Sequence, residues 1–416
     1  MNKDKDILIK TITDILDNHY LKNSDSYVKL RNKAISIKNE MHNIVNDVID
    51  NYINENIKNL KTTKIIFNDV FNSSKIYLSN TITHLTFGKK FNKPVDNLPN
   101  SITHLTFGQY FNQSVDNLPN SITHLTFGDY FNKSVDNLPN SITHLKFGNN
   151  FNQLANNLPN SITHLIFGGY FNKPIDNLPN SITHLKFGDC FDKLVDNLPN
   201  SVTHLTFGKK FSKSVNNLPR SIIHLTFGRN FNKSVDNLPN SITHLTFKDS
   251  FNQSVDNLPC SITHLTFGYC FNQSVDNLPN SITHLTFGYC FNKPVDNLPN
   301  SIEYLMIFGY CFNQLIDNLP LSIKYLYMYN IKKYLDNNVL KRIKYISSCD
   351  VMYINYPKCK IHCLKDITFD NIPSYKTEIL GSIIFEELTK YVFNPQRLIR
   401  YAEKYELTFD EYVDFL

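Results

Sequence analysis

The chain has 416 residues, of which 41% are hydrophobic, 13% aromatic and only 19% charged; such a chain has too much apolar surface for a highly charged disordered protein. The net charge is +5, yet residues 81–321 hold 16 Lys and Arg against 15 Asp and Glu. The clusters Lys89-Lys90-Lys93 and Lys209-Lys210-Lys213 lie more than a hundred residues apart, which leaves no continuous basic face for nucleic acid.

No apolar run reaches the roughly 18 residues of a membrane span, and the charged opening Met1-Asn2-Lys3-Asp4-Lys5-Asp6 leads into no signal-type apolar core. The expectation is a cytoplasmic protein. Four of the eight Cys (Cys190, Cys270, Cys290 and Cys311) occupy one variable repeat position, which is not how a disulfide framework is built.

Residues 1–60 open the chain with helical patterning. Leu30, Ala34, Ile37, Met41, Ile44, Val48 and Tyr52 make one amphipathic stripe, and Ile7, Ile12, Ile15 and Leu16 suggest a shorter helix before it. This segment reads as a helical N-terminal cap or a degenerate adaptor region. Residues 61–80 follow in repeat register, with Phe67, Phe71, Asn72 and Leu78 at the places of Phe87, Phe91, Asn92 and Leu98. Degenerate elsewhere, they suit a capping repeat whose outer face meets water.

Residues 81–321 repeat a twenty-residue unit twelve times, the last copy carrying one extra residue. In the copy 101–120, Ile102, Leu105 and Phe107 follow the spacing of a leucine-rich repeat, and Leu105 and Phe107 alternate with His104 and Thr106 as in a half-buried strand. Phe111, Val115 and Leu118 complete the interior. Pro119 fixes the entry to the next strand, and Gly108 is expected to need an unusual backbone angle. The predicted fold is a mainly β repeat solenoid, leucine-rich-repeat-like, with parallel strands, 20-residue coils and helical N- and C-terminal flanks. Asn117 recurs as Asn in every copy. It is expected to turn inward as an amide ladder satisfying loop backbone groups, the alternative being a solvent-facing turn residue. Residues 322–373 read as decayed repeats of mixed structure. Residues 374–416 read as a helical tail, with a stop at Asn394-Pro395 and a capping box at Thr408 and Glu411.

Phe-Asn-Lys-Pro-Ile at 171–175, Phe-Asn-Lys-Pro-Val at 91–95 and 291–295, and the recurring Leu-Pro-Asn-Ser-Ile-Thr-His-Leu resemble the FNIP repeat. FNIP proteins are leucine-rich-repeat relatives of social amoebae and giant amoeba-infecting viruses. The resemblance implies a protein-interaction module without catalytic residues. It also implies that residues 1–60 could be an F-box-like adaptor, making the protein a substrate receptor with a ubiquitin-ligase subunit as partner. The Leu-Pro that usually opens an F-box is missing before residue 98.

Eleven His, from His84 to His284, form one column closed by Tyr304. Neighbouring imidazoles could share Zn²⁺, but a neutral stacked ladder accounts for the pattern better. Mutual repulsion should then hold their pKa values below the unfolded 6.5 or so. Cys359, His362 and Cys363, with Cys349 nearby, could be zinc ligands but lack paired-knuckle spacing, and the cysteines read as packing thiols. No phosphate loop or Ser-His nucleophile is present, so no enzyme, cofactor, resident metal or catalytic residue is assigned. The expected function is a non-catalytic scaffold that binds protein partners through the strand face and adjoining loops. His104, Thr106, Tyr110, Tyr130, Tyr170, Tyr269 and Tyr289 are its candidate contact residues; a metal-binding or pH-responsive His surface is a further alternative.

Overall fold

A computed structural model describes residues 62–74, 76, 78–329, 339, 343–348 and 360–363. The readings of 1–60 as cap or adaptor and of 374–416 as helical tail lie outside the described residues, as do the side chains of Cys349, Cys359, His362 and Cys363.

Among the described residues, sixteen strands form a single parallel sheet in sequence order. Strands β1 (Lys64–Ile66), β2 (His84–Thr86) and β3 (His104–Thr106) set the pattern, and a three-residue strand recurs every twenty residues up to β11 (His264–Thr266). Four-residue strands follow at β12 (His284–Phe287), β13 (Tyr304–Ile307), β14 (Tyr325–Met328), β15 (Tyr345–Ser348) and β16 (Lys360–Cys363). Each strand pairs in phase with the next, so His104 lies beside His124, Leu105 beside Leu125 and Thr106 beside Thr126. Parallel strands need a long crossover, and residues 87–103 and their equivalents supply it as one turn of a coil.

The interior repeats as predicted. Ile102, Leu105, Phe107, Phe111, Val115 and Leu118 are all buried, and so are their equivalents along the array apart from the half-buried Leu98. Phe107 and Phe111 stack within one turn at 3.7 Å between ring centroids and 8° between planes. Between turns, Phe107–Phe127 lie 5.7 Å apart and Phe111–Phe131 6.1 Å apart, whereas His104–His124 are separated by 4.2 Å. Equivalent rings crowd on the strand side and spread on the Phe side, so the coil bends toward the strand face. One turn cannot bury two Phe rings on its own; the stack as a whole can.

Two sequence expectations need correction. Gly108 has no left-handed backbone. Its requirement is space, because a Cβ there would lie 1.9 Å from the carbonyl oxygen of Gly88. Lys248 alone replaces this glycine within residues 81–300. Beside it the Phe227–Phe247 spacing shortens to 5.4 Å and the His224 and His244 planes diverge by 19°.

Asn117 does form a ladder, but it faces outward. It is exposed, and its Nδ2 donates to Asp96 Oδ1 of the preceding turn at 3.1 Å. The amide that satisfies backbone belongs to the other Asn column, where the Asn112 N–H donates to Asn92 Oδ1 at 3.0 Å and the Asn132 N–H to Asn112 Oδ1 at 2.9 Å. Pro119 contributes its carbonyl, which accepts from Ile122 N–H at 3.2 Å and closes the turn into the next strand. Ser121 Oγ donates to the Ile102 carbonyl at 2.6 Å, which gives the serine column a structural task.

Candidate interaction surface

The strand face presents the His column. Rings from His84 to His284 stack at 4.1–4.3 Å, and Tyr304 and Tyr325 continue the stack at 4.2 and 4.4 Å. Thr103 sets the orientation of His104. Its Oγ1 lies 2.9 Å from His104 Nδ1 and 3.2 Å from the Thr83 carbonyl. A hydroxyl has one proton and a carbonyl can only accept. The arrangement that satisfies both contacts therefore has Thr103 donating to the carbonyl and Nδ1–H donating to Thr103, which leaves Nε2 as the acceptor. The same pair recurs along the column except at His224, which follows Ile223; Thr203 lies 2.9 Å from His204 and Thr283 2.8 Å from His284.

This packing keeps the column from His204 to His284 neutral. The pKa values of His204, His224, His244 and His264 are lowered to about 4, chiefly by burial and then by neighbouring imidazoles. His284 is lowered to about 4 by burial, against the pull of the Glu303 carboxylate; its Nε2 is buried without a hydrogen-bond partner. The metal alternative finds no geometry to support it. Parallel imidazoles aim their lone pairs side by side, and among the described residues no three His, Cys, Asp or Glu come together to hold an ion.

Beyond the strands, the candidate tyrosines separate into patches. His104 and Thr106 lie half-buried on β3. Tyr110 and Tyr130 are exposed and stack at 5.0 Å with planes 7° apart. Tyr170 occupies the same column past Asn150 and is 60% exposed. Tyr269 and Tyr289 belong to the adjacent column, stacked at 4.9 Å, and Tyr310 extends their row at 5.5 Å. The sequence reading omitted Tyr310, because the extra residue in the last copy shifts its number by one. Rungs about 4.8 Å apart place the Tyr130 and Tyr269 patches seven turns, or roughly 35 Å, from each other. The seven predicted residues thus fall in separate patches and do not form a single cluster.

A third surface carries the carboxylate–amide ladder. The Asp116 carboxyl is held below the usual range by the Ser114 hydroxyl and then by the Asn137 amide. Where Asn156 and Asn216 replace the aspartate, the side chains of Asn177 and Asn237 make no such bond, while Asn197 bonds Asp176 at 3.2 Å and Asn257 bonds Asp236 at 3.2 Å. A polar groove lined by Asn157, Asn177, Asn180 and Asn197 lies beside the first of these breaks.

This geometry is that of a leucine-rich-repeat-like solenoid, a fold typical of protein-interaction scaffolds. The FNIP repeat matches in ten stretches that together span residues 71–311, and the chain belongs to the FNIP repeat family. Among solved structures it is similar to CroV588, a circular LRR protein of a giant virus, with 39% identity and a TM-score of 0.53. The match covers 74% of this chain and 55% of CroV588, so the chain spans about half the length of that protein. InlJ from Listeria monocytogenes is similar at 10% identity and a TM-score of 0.41, over 70% of this chain and 64% of that one. YopM from Yersinia pestis is similar at 16% identity and a TM-score of 0.38, over 86% and 93%. No curated protein matches. Among the described residues no helix is long and apolar enough to cross a membrane.

Proposed function

We propose that the protein is a non-catalytic scaffold whose partners are proteins, bound through the strand face and the adjoining tyrosine loops. The observation that carries this reading is the pair of exposed, parallel Tyr stacks in the turns that follow the His-bearing strands. Stacked Tyr rings give large contact area at little cost in conformational entropy, and Tyr is enriched at binding hot spots. Two patches about 35 Å apart suit an extended partner, or one engaged at both ends, whose avidity exceeds that of either patch.

The F-box-like reading rests on residues 1–60 and the family resemblance alone, so it adds a ubiquitin-ligase subunit as partner without support from the described residues. The test is capture of cytosolic proteins by the full chain and by two variants, Tyr110→Ala/Tyr130→Ala and Tyr269→Ala/Tyr289→Ala. Proteins retained by the native chain should be lost or weakened about tenfold or more in at least one variant, with thermal stability unchanged. Equal capture by all three would remove the tyrosine surface from the proposal.

A further inference from the structure

Cys270, Cys290 and Cys311 stand at the same repeat position in three consecutive turns, each following a tyrosine of the Tyr269–Tyr289–Tyr310 row. All three are free thiols; Cys270 and Cys311 are exposed and Cys290 is half-buried. The backbone holds Cys270 and Cys290 in register, and the Tyr289–Tyr310 stack at 5.5 Å sets Cys311 on the next rung. Cys290 N–H donates to the Tyr269 carbonyl at 2.9 Å, and Cys270 N–H donates to the Asp249 carbonyl at 2.7 Å. The preceding tyrosines project in a common direction, with planes only 4° and 2° apart.

Rungs of a parallel stack lie about 4.8 Å apart, inside the roughly 4.4–6.8 Å range of Cα separations that a disulfide spans; two rungs, at about 9.6 Å, lie outside it. From this juxtaposition we infer that the three cysteines form an oxidisable thiol ladder in which Cys290 closes a disulfide with either neighbour, one at a time, under a peroxide. Cys270 and Cys311 cannot join each other.

The division of labour follows from burial. Its partly covered site and its two flanking thiols push the Cys290 thiol up in pKa, so an exposed neighbour supplies the first thiolate. That thiolate attacks the peroxide. An S–O bond forms as the O–O bond breaks, sulfur goes to the sulfenic acid and one oxygen leaves as water. The Cys290 sulfur then attacks the sulfenic sulfur; an S–S bond forms, the S–O bond breaks, and the departing hydroxide takes the Cys290 proton as a second water. Two thiols and one peroxide thus give one disulfide and two waters, and one thiol of the row stays free. Cys190 is an internal control, since the same position in the adjacent turns holds Tyr170 and Lys210.

The experiment treats the folded full chain with hydrogen peroxide, alkylates remaining thiols and maps peptides without reduction. Native protein should yield Cys270–Cys290 and Cys290–Cys311 linkages, never both in one molecule, with Cys190 unlinked. Cys270→Ser should leave only the 290–311 linkage, Cys311→Ser only the 270–290 linkage, and Cys290→Ser neither. A 270–311 linkage forming in folded Cys290→Ser as readily as the native linkages, or native protein whose Cys290 stays unlinked after oxidation, would overturn the ladder.

Discussion

The joint between the turns 101–120 and 121–140 and the joint between 201–220 and 221–240 share a core and a backbone ladder but differ along their polar edges. In the first, Phe107 N–H donates to Thr126 O at 2.9 Å and Thr123 N–H to Thr103 O at 2.8 Å; in the second, Phe207 N–H donates to Thr226 O at 2.9 Å and Ile223 N–H to Thr203 O at 2.8 Å. The serine bond is kept, with Ser121 Oγ on Ile102 O at 2.6 Å and Ser221 Oγ on Val202 O at 2.7 Å, but three other side-chain ladders are not shared. The first joint has Asn132 N–H on Asn112 Oδ1 at 2.9 Å, Asn137 Nδ2 on Asp116 Oδ1 at 3.1 Å and Thr123 Oγ1 on Thr103 O at 3.2 Å. The second has Ser212, Asn216 and Ile223 at the corresponding places and none of the three bonds. Packed Phe rings and strand pairing therefore define the coil, and the polar columns decide how firmly each turn is tied to the next. Three bonds at about 0.5–1.5 kcal/mol each, at the low end for exposed groups, would make the second joint a site of early local opening.

The largest effect tests the shared part of the comparison. Phe131→Ala and Phe231→Ala remove equally buried rings from the two regions, and each should cost about 3–5 kcal/mol in denaturant unfolding. A markedly smaller loss at Phe231 would mean that the core itself is slack there.

Acidification acts on the His column, whose stacking runs unbroken through both joints. The folded pKa values of about 4 for His204, His224, His244, His264 and His284 lie below the unfolded value near 6.5. As pH falls, the unfolded chain takes up protons first. Stability is thus complete above about pH 6.5 and lost progressively toward pH 4. Melting temperature followed over that window should fall, and His224→Gln/His244→Gln should flatten the slope.

Repairing the weak joint sharpens the contrast. Ser212→Asn and Asn216→Asp should each add about 0.5–1 kcal/mol by restoring a rung-to-rung bond, read as a higher denaturant midpoint at constant slope. Asn156→Asp gives Asn177 an acceptor at a joint whose other ladder is intact, with Asn172 N–H on Asn152 Oδ1 at 2.9 Å. Its gain should be the smallest, a few tenths of a kcal/mol.

The architecture was legible in the sequence because every turn repeats six apolar residues at fixed spacing, and only a stacked coil buries them all. The direction of the polar columns was not. Invariant Asn117 and nearly invariant Asn112 look alike in sequence, yet one reaches an aspartate of the preceding turn and the other a backbone N–H of the following turn. Which of them faces a backbone group depends on the phase of the coil between Phe111 and Leu118. The glycine column is a visible constraint, but a tight approach to the preceding turn and a left-handed angle leave the same mark on a sequence. The tyrosines were found one by one, whereas their stacking follows from in-register rungs; Tyr310 was hidden by a one-residue shift.

Hydrogen–deuterium exchange on the full chain, read at matched peptides, tests most directly whether the polar ladders grade the stability of the coil. The amides of Ile223, His224 and Asn230 should exchange severalfold faster than those of Thr123, His124 and Tyr130, although their backbone bonds have similar lengths of 2.8–3.0 Å. Equal protection at the two joints would contradict the account and leave core packing as the sole source of cohesion.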